Sequence, residues 1–123
     1  MHLLYHIIIV PTPTVSITTE NNQTAGQQLI LDCTVTAVRG ITSEVNVTWL
    51  VNDSELYNIT VVDVSSTMDD MQLFMDSYTI DQLSATDDGK VYQCKVLIDS
   101  DPLVMATDSF TLNVTGTGKE IRT

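Results

Sequence analysis

Asp88-Gly89-Lys90-Val91-Tyr92-Gln93-Cys94 decides the fold of this 123-residue chain, because it runs from a turn into a strand whose side chains alternate in character. Tyr92, Cys94 and Val96 fall on one side, and Gln93 and Lys95 on the other. That period of two is the mark of a strand half buried against a core. Working outward, the other cysteine lies in Leu29-Ile30-Leu31-Asp32-Cys33-Thr34-Val35, where the odd positions are apolar and face inward with Cys33. Val45-Asn46-Val47-Thr48-Trp49 puts Val45, Val47 and Trp49 inside and turns Asn46 and Thr48 outward. From Thr14 onward no helical period is sustained, so the chain is all-β.

The rest of the chain is read by the same rule. Thr14 to Thr19 is an opening edge strand and Ala25-Gly26-Gln27 the turn before the first cysteine strand. Between Asn52 and Met75 the alternation weakens, with short strands expected near Leu56 to Thr60 and near Val61 to Ser65, and a turn at Met68-Asp69-Asp70-Met71. Tyr78, Ile80 and Leu83 point inward and lead into a corner at Ser84-Ala85-Thr86-Asp87-Asp88-Gly89. Asp99-Ser100-Asp101-Pro102 is a further turn, after which Phe110, Leu112 and Val114 alternate inward.

Cys33, Trp49 sixteen positions later, and Tyr92-x-Cys94 together resemble the immunoglobulin superfamily, over most of the chain. The resemblance implies an immunoglobulin-like β-sandwich of two antiparallel sheets with one inter-sheet disulfide, Cys33 to Cys94. It also implies that Trp49 packs on that bridge and that the Tyr92 hydroxyl ties down the corner entering the second cysteine strand. One departure narrows it. Variable-type domains usually pair the aspartate six positions before the second cysteine, here Asp88, with an arginine, yet no Arg or Lys occurs between Arg39 and Lys90. Gly89 also sits one position earlier than the glycine of the common D-x-G-x-Y-x-C form. The resemblance is therefore to the superfamily at large.

Length and composition fit one domain: 43% hydrophobic residues fill a single core, and a second complete domain has no room. Sixteen acidic residues against five basic ones give a net charge of -11, which disfavours nucleic acid and anionic lipid as partners. Two cysteines allow one intrachain pair with no thiol left over. Without a C-x-x-C or a nearby histidine, a structural disulfide in an oxidising compartment is the preferred reading. Closing a loop of that length stabilises the fold by roughly 4 kcal/mol.

Asparagine supports the same compartment. Five of the six asparagines, Asn22, Asn46, Asn52, Asn58 and Asn113, begin an N-x-S/T sequon and are candidate N-glycosylation sites. With Ser and Thr at about a fifth of the chain, chance would supply roughly one. In the superfamily's topology Asn46, Asn52, Asn58 and Asn113 belong to, or border, the sheet holding Trp49 and Cys94. Occupied glycans would shield that sheet and leave the opposite one, the loops or the domain ends for contact.

Residues 1–13 are expected to be the end of a preceding domain, a partial signal or a linker; residues 14–115 form the immunoglobulin-like domain, and 116–123 a polar tail or linker. The apolar stretch Met1 to Val10 is too short to span a bilayer. Acid pairs at Asp69-Asp70, Asp87-Asp88 and Asp99-x-Asp101 lack the repeated oxygen-ligand loop of a calcium site, and His2 and His6 have no strand-borne partner, so neither metal nor cofactor is expected. No serine or cysteine nucleophile has a histidine in the domain body to activate it, and the chain is not expected to be an enzyme. The expected function is an extracellular recognition or adhesion module of a cell-surface or secreted protein, with another protein as partner, neighbouring immunoglobulin-like domains in the same chain and no nucleic acid. A structural spacer in a tandem ectodomain, or an ectodomain piece of a receptor enzyme, are the alternatives.

Overall fold

Seven strands follow one another in the computed structural model, which describes residues 12–38, 42–64, 70–98 and 103–116. They are β1 (Thr14–Thr19), β2 (Leu29–Val38), β3 (Glu44–Val51), β4 (Ser54–Val62), β5 (Met71–Ile80), β6 (Val91–Ile98) and β7 (Val104–Thr111). Two antiparallel sheets result, one ordered β1-β2-β5 and the other β4-β3-β6-β7. The Cys33–Cys94 disulfide joins β2 of the first to β6 of the second. The fold is thus a two-sheet sandwich bridged through its core.

The local patterns produce this arrangement because each central strand has one apolar side. In β2 the odd residues Leu29, Leu31, Cys33, Val35 and Ala37 are all buried, while Ile30, Asp32, Thr34 and Thr36 are only partly covered. Val45, Val47 and Trp49 of β3 and Tyr92, Cys94, Val96 and Ile98 of β6 complete the opposing layer. Phe74 of β5, Leu83, Leu112 and Val114 close its ends. Burying side chains of this size contributes about 1.5–3 kcal/mol each, which is why the alternation fixes the register so firmly.

The stretch with the weak pattern is built differently from the two short strands expected near residues 56–60 and 61–65. A single strand, β4, pairs along β3 from Ser54 to Val62, with a bulge opposite Trp49 and Leu50. Its inward residues alternate, but β4 is an edge strand and Ile59 stays 40% exposed although it lies opposite buried Val47. Partial burial needs no strict apolar alternation, and so the signal fades. Past β4 the chain crosses toward the other sheet, where the Val64 amide donates to the Leu73 carbonyl of β5 at 2.8 Å. The turn expected at Asp99 to Pro102 and the first half of that at Met68 to Met71 fall outside the described residues, as does the stretch 1–11.

Candidate functional site

Trp49 lies directly across from Cys94 in the β3–β6 register and is fully buried. Its indole Nε1 would be orphaned there. It donates to Asp76 Oδ2 at 2.8 Å, and the Tyr57 hydroxyl donates to the same oxygen at 2.7 Å. One carboxylate on β5 therefore ties its sheet to β3 and β4 of the other. Tyr78 sits at the centre of this end of the core, its ring 5.8 Å from Trp49, 6.0 Å from Tyr57 and 5.6 Å from Tyr92, distances at which tilted aromatic rings attract. Burial, with the Asp76 bond and charge added, holds the Tyr57 phenol far above its ordinary value. The Tyr92 phenol is pushed up to about 12, again chiefly by burial.

The corner before the second cysteine is held by acids. Tyr92 is buried there, its ring 5.6 Å from that of Tyr78. Residues Ala85–Asp87 make one 3₁₀ turn, whose first amide groups are capped when Ser84 Oγ accepts from the Thr86 amide and Asp87 Oδ2 accepts from the Ser84 amide at 2.8 Å. Lys90 Nζ lies 2.7 Å from Asp87 Oδ1, and this charged hydrogen bond holds the Asp87 carboxyl below the usual range. Asp88, which lacks the basic partner of variable-type domains, accepts instead from the Val114 amide at 2.8 Å. Gly89 has φ +85°, and its amide donates to the Leu112 carbonyl. The early position of that glycine thus fits a left-handed residue in the corner itself.

A second acid works at the opposite edge of the sandwich. Asp108 of β7 points inward and its Oδ2 accepts from the Ile17 amide of β1 at 2.9 Å. Sequence reading overlooked both Asp76 and Asp108. The signal was present: each is an acid in phase with apolar residues, Asp76 between Phe74 and Tyr78, Asp108 two before Phe110.

The two outer faces differ. On the four-stranded sheet, Asn46 of β3 and Asn58 of β4 lie on one face with Thr48, Thr60, Lys95 and Leu97. Asn52 and Asp53 form the β3–β4 turn with φ +48° and +68°, and Asn52 Oδ1 accepts from the Val91 amide at 2.9 Å. Asn113 follows β7, and its amide donates to the Gln23 side chain at 2.7 Å. Thr24 and Thr115, the third residues of the Asn22 and Asn113 sequons, form a parallel bridge. The outer face of the three-stranded sheet has none of the five, and carries Thr18, Asp32 and Ser77 in one row and Ser16, Thr34 and Met75 in the next. At its end Asp32 pushes the neighbouring Glu20 carboxyl up. Among the described residues no three His, Cys, Asp or Glu come together as a metal site, and no helix is long and apolar enough to cross a membrane. His2 and His6 lie outside the described residues.

Comparison with known proteins places this geometry. The immunoglobulin C1-set domain family matches residues 15–100. The chain belongs to that family. Among solved structures, this C1-set domain is similar to an IgNAR antibody domain C1, with TM-score 0.56 at 17% sequence identity, covering 88% of this chain and 99% of the other; at that identity the likeness is one of fold. The search of curated proteins gives no match. This C1-set domain departs from the constant-type arrangement, in which the fourth strand joins the sheet of the first cysteine strand. Here β4 pairs with β3, so among the described strands the sheet holding Trp49 has four and β5 lies at an edge of the other.

Proposed function

We propose that this C1-set domain is an extracellular recognition or adhesion module of a cell-surface or secreted protein, and that it meets a protein partner through the outer face of β1, β2 and β5. The observation that carries the reading is the segregation of the sequons. Asn46, Asn52 and Asn58 lie on β3, on β4 and in the turn between them, and none of the five lies on a strand of the other sheet. Glycans on the first face leave the second, with its rows of small hydroxyl residues, as the broad surface free for contact. Its acid end at Asp32 and Glu20, and the net charge of -11, favour a basic partner surface. The domain's fold alone names no ligand.

Thr34→Asn tests the reading with one substitution, since it creates a sequon with Val35 and Thr36 in the middle of that face. The whole chain, secreted and made multivalent, is expected to bind a partner-bearing cell saturably, and the glycan added by Thr34→Asn abolishes binding while the disulfide and the circular dichroism spectrum stay intact. Binding that tolerates this glycan excludes the β1-β2-β5 face, and specific capture of no cell or protein by the unmodified chain favours a spacer.

A further inference from the structure

The sequons Asn46-Val47-Thr48 and Asn58-Ile59-Thr60 lie side by side in opposite directions: Asn46 pairs with Thr60, Val47 with Ile59 and Thr48 with Asn58. The two asparagine amides meet on the diagonal and bond both ways. Asn46 Nδ2 donates to Asn58 Oδ1 at 2.8 Å, and Asn58 Nδ2 donates to Asn46 Oδ1 at 2.6 Å. The second hydrogen of Asn58 Nδ2 goes to Thr48 Oγ1, at 2.6 Å. Each sequon thus holds a residue of the other.

We propose that this interlocked pair carries one N-linked glycan and not two, on Asn46 or on Asn58 in any one molecule. The proposal rests on the extracellular reading above. In the transfer, Nδ2 forms a bond to the anomeric carbon of the first sugar, the bond from that carbon to the pyrophosphate of a lipid-linked oligosaccharide donor breaks, and one Nδ2 hydrogen leaves as a proton. The product is a secondary amide, planar and trans, which puts the sugar on the same side as Oδ1. That is the position of the hydrogen each asparagine donates within the ring of two amides. A glycan on either residue therefore takes the place of its partner's oxygen. When Asn58 is modified, the Asn46 side chain can turn aside into the shallow groove that it lines with Glu44, Thr60 and Leu97; when Asn46 is, the exposed Asn58 side chain can turn toward solvent. When both are, each first sugar ring needs the gap the other occupies.

The whole chain, secreted from a glycosylating host behind a cleavable signal, tests this. No Lys or Arg lies between Arg39 and Lys90, so one tryptic peptide carries Asn46, Asn52 and Asn58 of the same molecule. Enzymatic deglycosylation in ¹⁸O-water marks each formerly glycosylated asparagine, and fragmentation places the marks. The expected result is marking at Asn46 or at Asn58, with doubly marked peptides all but missing. Thr60→Ala, which destroys the Asn58 sequon, sends the glycan to Asn46, and Thr48→Ala sends it to Asn58. Doubly marked peptides at the product of the single occupancies, or no transfer in either variant, overturn the proposal. No mark at either site while Asn22, Asn52 or Asn113 is marked overturns it and leaves the extracellular reading standing; no mark at any of the five overturns both.

Discussion

Asp76 is the residue on which most of one edge depends, because a single oxygen takes both the Trp49 indole and the Tyr57 hydroxyl. Asp76→Ala leaves the indole N–H buried without an acceptor, and removing a partner costs more than the bond's net worth, since the orphaned group keeps its full desolvation penalty. A loss of about 2 kcal/mol is expected, read as a lower urea midpoint. A change within measurement error would mean that water or another acceptor serves the indole. Gln72 is a further polar residue in phase with the core, 6% exposed, its Nε2 donating to the Thr42 carbonyl at 2.6 Å. Neither role is visible in the residue's own neighbourhood: alternation says that Gln72 and Asp76 point inward, and Thr42, Trp49 and Tyr57, which they meet, are distant in sequence.

At the scale of elements, the strands with two covered neighbours and the opening edge strand were legible, and β4 was not. β2, β3 and β6 each show an apolar side because both sheets press on it, and β1 fills the stretch read as an opening edge strand. β4 offers little, since its outward side includes Asn58 and Thr60 and its inward side is only partly covered. What fixes β4 is its hairpin, whose two turn residues Asn52 and Asp53 both take positive φ. Such a turn suits the twist of a two-residue hairpin and prefers glycine at its second position. Asp53→Gly keeps the Asn52 sequon and removes the strain of a left-handed aspartate, and is expected to raise stability by about 0.5–1 kcal/mol, measured by thermal or urea unfolding. Lower stability would show that the Asp53 side chain is worth more than its backbone strain.

The whole molecule is held between acid and alkali by the same groups that tie its sheets. Asp87 has its folded-state pKa lowered by Lys90, so its contribution is complete above the ordinary carboxylate range and is lost as pH falls through the lowered value. Tyr57 and Tyr92 have theirs raised, so the stability they confer is complete below the ordinary phenol value and is lost as pH climbs from there toward about 12, where Tyr92 ionises in the folded state. Urea midpoints across pH should therefore fall at both ends, and Lys90→Met should flatten the acid limb while leaving the alkaline one unchanged. An acid limb of undiminished slope in Lys90→Met would remove Asp87 from the account. By itself the sequence determined that this chain is all-β with a single cysteine pair, and which side of most strands faces the core, because alternation and cysteine count are local properties; the disulfide-stapled sandwich followed from its resemblance to the immunoglobulin superfamily. Only the tertiary structure decided that β4 joins β3, that Asp76 and Asp108 close the two edges, that Asp88 holds the segment after β7, and that two sequons face each other. Those are choices of neighbour, and a period of two tells a side chain which way to point without naming the strand it will meet.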